Sequence, residues 1–318
     1  MSKRLNILFL GGAKRVSFAE HLIAAGCKKE IDVCIFSYEL NQTVPIASVG
    51  KVILGLRWKD VALDKHLISV IKEFHIGMVL PFVDPAVEVA ARLKTALPDV
   101  FIPCSPIEIC RIMFDKKCSE EWFISRKFPI PQSYRLQEIP VFPVILKPRK
   151  GSASKGIRII TDRVTWLSVE NPDEYVIQKY IAEREEFTVD AYVSSSGKII
   201  SVVPRLRLDV AGGEVMNSVT VRDERLIALS REIILAGGFR GPVTIQFLRD
   251  KTTDEIYIME INPRLGGGVI VSIEAGADIP LFLLEEEAGN MPEPVDDWRE
   301  NTLMTRYFKE VIFYADHH

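Results

Sequence analysis

The stretch Gln246-Phe247-Leu248, followed after a polar block by Glu260-Ile261-Asn262-Pro263-Arg264, decides how this chain reads. The flanking runs Val243 to Leu248 and Ile256 to Ile261 are rich in Val, Ile, Phe and Tyr, and Arg249 to Glu255 between them supplies turn residues. That pattern predicts two antiparallel strands. With the loop centred near Thr253, Gln246 falls opposite Glu260, and strand alternation puts Asn262 on the same face. One carboxylate and two amide oxygens then converge. Magnesium takes few protein ligands, prefers hard oxygen donors and completes its octahedron with water and phosphate oxygens, so this set suits it. Arg264 does not ligate metal, but it donates paired hydrogen bonds to a phosphate or carboxylate. Read alone, the hairpin fits a solvated surface hairpin equally well.

The rest of the chain must decide between those readings. With 318 residues, 47% hydrophobic and 26% charged, it has room for two or three globular domains. A formal net charge of −3 excludes nucleic-acid binding by bulk electrostatics, so local basic clusters serve something smaller. Its five cysteines, Cys27, Cys34, Cys104, Cys110 and Cys118, show no CxxC spacing, which indicates neither a zinc site nor a disulfide framework. No stretch approaches the ~20 apolar residues of a membrane span, and no long apolar signal region follows Met1. A reducing cytoplasm is the expected location. His21, His66 and His75 have no partners at ligand or triad spacing and read as structural.

From Asn6 to about Ile102, apolar runs of strand length (Ile7 to Leu10, Val33 to Phe36, Met78 to Phe82) alternate with helical patterns. Leu63, Leu67, Val70, Ile71 and Phe74 keep helical spacing, as do Val89, Ala90, Leu93 and Leu97. This predicts a parallel sheet with helical crossovers, similar to a Rossmann-like unit. Its first turn, Gly11-Gly12-Ala13-Lys14-Arg15, lacks GxGxxG and gives little support for a dinucleotide. Lys14 and Arg15 read either as a substrate-anion site or as solvated surface charges. Asp84, just after the third apolar run, reads as the cap of a helix beginning at Pro85 or as a ligand-facing residue, with the cap preferred.

Beyond Ser105 the pattern changes. Ile107 to Phe128 reads as one helix carrying Asp115-Lys116-Lys117, and Pro143 to Pro148 as a strand bounded by prolines with Lys147 at its far end. Arg149-Lys150-Gly151-Ser152-Ala153-Ser154-Lys155-Gly156 follows at once. Small residues let backbone N–H groups approach an anion and the lysines neutralise it, so the loop reads as a phosphate cradle, although it lacks the GxxxxGK[ST] pattern. Tyr175 to Ile181 and Phe187 to Val193 are strand-like, with Glu183-Arg184-Glu185-Glu186 between them. A nucleobase fits against such an edge strand through backbone groups, with an acidic residue beyond it for ribose hydroxyls. Arg205 and Arg207 alternate onto one face and precede Asp209 to Glu214, which reads as a mobile loop. Gly266-Gly267-Gly268 reads as a turn leading into a helix near Val269.

In this order the features resemble the ATP-grasp superfamily, and within it a short, single-module relative of the large subunit of carbamoyl phosphate synthase. The resemblance rests on Asp115-Lys116, Ile145 to Pro148, the Gly151 to Gly156 loop, Gln178-Lys179-Tyr180, Glu186 to Asp190, and Gln246, Glu260, Asn262 and Arg264. It implies a mixed α/β and α+β architecture: a Rossmann-like pre-ATP-grasp domain over 1–112, then a two-subdomain ATP-grasp fold, small over 113–183 and large over 184–318. It also implies roles. Lys116 and Lys147 would contact nucleotide phosphates, Gly151, Ser152, Ser154 and Gly156 would close over the triphosphate, Gln178, Lys179, Tyr180 and Ile181 would line the adenine pocket, and Glu186 would bind ribose. Gln246, Glu260 and Asn262 would hold one or two magnesium ions, while Arg264, with Lys147, would act on the transferring phosphoryl group; Arg205, with Arg207, is expected from its strand face alone to meet the acceptor's carboxylate or phosphate.

The implied reaction is that of a carboxylate–amine ligase, with ATP giving an acyl phosphate that an amine displaces, leaving ADP and phosphate. A single module is too small for complete carbamoyl phosphate synthesis. The expected partners are a small carboxylic acid and an amine, without nucleic acid or membrane, in a chain that could form a homodimer. A non-catalytic ATP-binding regulatory module is the alternative, and release of the phosphorylated acid a further one. Arg306 to Tyr314 reads as a strand that completes the grasp sheet or an interface.

Overall fold

The computed structural model describes residues 3–135, 141–151 and 156–314. It opens with β1 (Lys3–Leu10), α1 (Val16–Lys28), β2 (Ile31–Glu39), β3 (Lys51–Leu54), α2 (Leu63–Glu73), β4 (Ile76–Pro81) and α3 (Asp84–Ala96). The strands are parallel in the order β3-β2-β1-β4. Helices on both faces of such a sheet make its central strand continuously apolar rather than alternating. Ile7 and Phe9 accordingly join one core with Phe18 and Leu22, and Leu8 and Leu10 join the other with Leu63 and Leu67. Each fully buried side chain of this kind stabilises the fold by about 1.5–3 kcal/mol. The loops at the strand C-termini therefore stand on a rigid floor.

The helix expected over Ile107 to Phe128 is broken into α4 (Ile107–Phe114) and α5 (Lys116–Ser125). Asp115 breaks it. Its carboxylate accepts hydrogen bonds from the backbone N–H groups of Lys117 at 3.1 Å and Cys118 at 3.3 Å, and pairs with Arg149 at 2.6 Å. A short acidic side chain that captures backbone donors favours a cap over a helix interior. The break makes Lys116 the first residue of a new helix, next to the glycine-rich loop. There follow β5 (Val144–Pro148), β6 (Arg158–Ile160), α6 (Arg163–Leu167) and β7 (Tyr175–Lys179). The strands form an antiparallel sheet in the order β6-β5-β7, backed by Val144, Leu146, Ile160, Trp166 and Ile177.

The remainder comprises β8 (Arg184–Val193), β9 (Ile199–Ala211), β10 (Glu214–Thr220), α7 (Glu224–Gly237), β11 (Gly241–Asp250), β12 (Ile256–Asn262), α8 (Ile270–Glu274), α9 (Ile279–Glu287) and β13 (Leu303–Thr305). Its sheet is antiparallel in the order β12-β11-β8-β9-β10-β13. Two expectations are corrected here. Asp209 to Glu214 is not an open loop but the tip of a tight hairpin, because β9 continues to Ala211 and Gly212 and Gly213, both at positive φ, make the turn. The closing strand is Leu303–Thr305, paired with β10, while 306–314 has no regular structure.

The last helices return to the first sheet. Val269, Ile273, Ile279, Phe282 and Leu283 share one core with Leu5, Ile7, Phe9 and Leu22. Polar contacts reinforce this seam: His21 Nε2 lies 2.8 Å from Glu274 Oε1 and Lys3 pairs with Glu287 at 2.7 Å, while Tyr192 of β8 donates its hydroxyl to Glu286 at 2.6 Å and ties the same helix to the large sheet. No helix among the described residues is long and apolar enough to cross a membrane.

Candidate active site

The β11–β12 register pairs Gln246 with Glu260, as a loop centred near Thr253 predicts. Gln246 Nε2 donates to Glu260 Oε1 at 2.9 Å, and Asn262 Nδ2 donates to the same oxygen at 3.0 Å. The amide oxygens accept from arginines, Gln246 Oε1 from Arg207 at 2.9 Å and Asn262 Oδ1 from Arg264 at 3.3 Å. Two NH₂ groups thus occupy the place beside Glu260 that a cation would take. Turning each amide about its terminal bond presents both oxygens instead. One carboxylate with two amide oxygens fits magnesium, provided phosphate and water supply the other ligands. Among the described residues there is no cluster of three or more His, Cys, Asp or Glu able to hold a metal.

Between the small and large antiparallel sheets lies a cavity of about 830 Å³. Lys116, Lys147, Gly151, Tyr180, Glu186, Gln246 and Glu260 line it. Lys147 is only 8% exposed and donates to Gln178 Oε1 at 2.9 Å. Burial lowers its pKa to about 8, with Glu260 and Glu120 opposing the shift. Gln178 in turn donates to Glu120 at 2.8 Å, so it lies behind the lysine and orients it rather than facing the cavity. Lys116 donates to the Gly151 carbonyl at 2.8 Å, tying the new helix to the loop. Gly151 and Gly156 have positive φ, while Ser152 and Ser154 lie outside the described residues.

At the expected adenine edge, the N–H of Lys179 donates to Gln132 and that of Tyr180 to Pro143. Those donors are taken, the Lys179 side chain is exposed and Ile181 is buried. Glu186 accepts from Arg184 at 3.0 Å, and Arg184 stacks 5.2 Å from the Tyr180 ring. Arg184, Ile145, Leu206, Leu208 and Met259 also line the cavity, and of these Leu208 and Met259 belong to no motif of the sequence. A usable signal existed in β9, where Leu208 and Val210 alternate and stand 51% and 41% exposed, an apolar stripe facing open space.

Arg207 lines both this cavity and a second one of about 340 Å³. Its side chain is 9% exposed, yet its Nε has no hydrogen-bond partner among the described residues. A buried donor left unpaired costs about 1–3 kcal/mol, which an anion at the junction of the cavities would offset. Arg205 is engaged differently. It pairs with Asp190 at 2.7 Å, both groups almost fully buried, and Ser272 donates to the same carboxylate at 2.8 Å. Gly268 admits it: a Cβ there would lie 2.7 Å from an Arg205 guanidinium nitrogen.

Asp84 corrects the cap reading. It is the first helical residue, after the N-cap Val83, and its carboxylate accepts from Arg264 at 2.6 Å across this second, central cavity, which both residues line. A residue after β4 thereby orients the arginine beside the carboxylate hairpin.

Comparison with known proteins agrees with this architecture. Residues 171–309 match a family described as ATP-grasp in the biosynthetic pathway with Ter operon. The D-alanine–D-alanine ligase of Rickettsia canadensis is 23% identical over 267 residues, 67% of this chain and 73% of the ligase. The biotin carboxylase domain of Hydrogenobacter thermophilus 2-oxoglutarate carboxylase, crystallised with MgADP, ADP and bicarbonate, superposes with a TM-score of 0.75 at 18% identity. That match covers 94% of this chain and 73% of the other. Rhizobium etli pyruvate carboxylase gives 0.73 at 16% identity, and the match spans 95% of this chain but only 30% of that larger protein. With two antiparallel sheets clasping a cavity beneath a parallel sheet, the chain has the ATP-grasp fold of these neighbours, and residues 171–309 carry the sequence match to an ATP-grasp family.

Proposed function

We propose that this protein is an ATP- and magnesium-dependent ligase that joins a small carboxylic acid to an amine through an acyl phosphate. One observation carries the reading: the two cavities share a wall built from Lys116, Gly151, Arg207, Gln246 and Glu260. A nucleotide in the larger cavity and an acid in the smaller one would meet there. The domain division 1–112, 113–183 and 184–318 and the motif order shared with the carbamoyl phosphate synthase large subunit belong to the same reading.

In it, Lys116, Lys147 and the Gly151 to Gly156 loop hold the triphosphate, and Tyr180 and Glu186 face the nucleoside. Gln246, Glu260 and Asn262 hold magnesium, which when bound neutralises phosphate charge. A carboxylate oxygen of the acid attacks the terminal phosphorus as the bond to ADP breaks. Arg207 and Arg264 balance charge on the moving phosphoryl group. The amine nitrogen then attacks the acyl carbon, phosphate departs, and the nitrogen releases its proton.

Wild-type protein incubated with Mg-ATP, pooled acids and pooled amines is expected to release ADP and phosphate. Glu260→Gln is expected to lower that rate at least about tenfold at fixed magnesium. ATP binding without ADP from any pool moves the non-catalytic module ahead, and AMP with pyrophosphate overturns the acyl-phosphate route.

A further inference from the structure

A third cavity, about 430 Å³, opens at the C-terminal ends of β1, β2 and β4. It shares Arg15, Val83 and Glu214 with the central cavity, so the two adjoin there. Its walls are mainly apolar: Tyr38, Leu40, Val44, Leu56 and Trp58. Leu40 is 57% exposed and Trp58 half-buried, although strand ends of a parallel sheet are where ligands collect. The Trp58 ring stands against the Gly11 turn, where φ is +73° and an added Cβ would lie 3.5 Å from it. Tyr38 packs beside it, ring centroids 6.3 Å apart, with its hydroxyl bonded to His66 at 2.7 Å and accepting from the Leu56 N–H at 2.9 Å. The cleft is preformed.

Arg15 stands at the junction of the two cavities. Every other cation lining the central cavity is engaged: Arg205 with Asp190, Arg207 with Gln246, Arg264 with Asp84 and Lys116 with Gly151. Glu214, near Arg15, is paired with Arg306 at 3.0 Å. Among the described residues the Arg15 guanidinium makes no hydrogen bond or ion pair, only a contact 5.8 Å above the Phe82 ring. The backbone N–H groups of Gly12 and Ala13 are no rival anion site, because they face the Glu39 carboxylate and oppose the upward shift that burial gives its pKa. A half-buried arginine whose neighbouring carboxylate, Glu214, is taken by Arg306, opening on a cleft that is mainly apolar although Lys14, Glu39 and Asn41 also line it, is complementary to an acid with a bulky apolar body.

Resting on the ligase reading above, we infer that the acid substrate places its carboxylate against Arg15 and an apolar body, of at least isobutyl or phenyl size, in the cleft of Leu40, Val44, Leu56 and Trp58. Short acids would bind the arginine but leave the cleft to water. The filled cleft selects the larger acid by about tenfold or more, the scale of a few buried methylene groups.

The test measures ADP release by the full chain with Mg-ATP, hydroxylamine as the amine, and a series running from acetate and propanoate to 4-methylpentanoate and 3-phenylpropanoate. Expected is a kcat/KM at least about tenfold higher for the bulky acids. Trp58→Ala and, at an exposed rim position, Leu40→Trp should each collapse that ratio about tenfold, and Arg15→Met should raise KM for every acid. Equal kcat/KM across the series, or a ratio unmoved in both cleft variants, overturns the inference while leaving the ligase reading intact. If no acid elicits ADP, the ligase reading falls, and calorimetry without nucleotide decides the cleft. Binding of 3-phenylpropanoate that Arg15→Met weakens tenfold supports the cleft, and no binding overturns it.

Discussion

Replacing Lys147 with Met is expected to lower ADP formation by about 100- to 1000-fold, the loss seen when a preorganised charge is removed from a developing anion. Lys147 is buried, held by Gln178, and aimed into the cavity assigned to nucleotide. Its pKa near 8 adds a pH signature. Only the protonated amine attracts a triphosphate, so Mg-ATP affinity at pH 9 should be about tenfold weaker than at pH 7. The Lys147→Met protein should show no such slope, and calorimetric titration at the two pH values checks both. Stability runs the other way. The unfolded chain binds more protons than the folded one between about pH 8 and 10.5, so nucleotide-free protein becomes more stable as pH rises through that window. An affinity that follows stability upward would contradict the assignment.

Asp190→Ala is expected to destabilise the fold by about 3–5 kcal/mol, because it leaves the Arg205 charge buried without its partner. Both side chains are nearly inaccessible, and Asp190 also anchors Ser272 in α8. Urea unfolding of the variant checks the magnitude. Replacing both partners with apolar residues of similar size, Asp190→Leu with Arg205→Met, should recover much of the loss, since a buried pair contributes little net stability over a packed apolar pair. Catalysis should not recover with it, because Arg205 lines the central cavity. A double variant as unstable as Asp190→Ala would show that shape, and not charge, is limiting there.

The parts of this molecule legible in its sequence are those set by short-range patterns. Alternation and turn chemistry were enough to pair Gln246 with Glu260, and unbroken apolar runs were enough to announce a parallel sheet. The misreadings arose where a side chain found a distant partner. Asp84 resembled a helix cap because its sequence neighbours include Pro85, whereas Arg264, 180 residues away, takes its carboxylate. Asp115 sat inside a good helical pattern, and the pairing with Arg149 that favours its capping role lies across the fold. Gln178 sits in an apolar strand, and only the sheet register reveals that it faces Lys147 from behind. The apolar cleft was invisible for a related reason. Leu40, Leu56 and Trp58 belong to loops after separate strands, and no periodicity links them.

The shared core of Leu5, Ile7 and Phe9 with Ile273, Ile279 and Phe282 also bears on how the protein is made. During synthesis the parallel sheet and α1 emerge long before α8 and α9, the helices that complete the cover of one face. Until those helices are synthesised, a greasy surface stays open to solvent, and closing it joins segments more than 250 residues apart. The nascent chain must therefore hold its parallel sheet only partly covered until α8 and α9 follow, a natural point for chaperones to attend it.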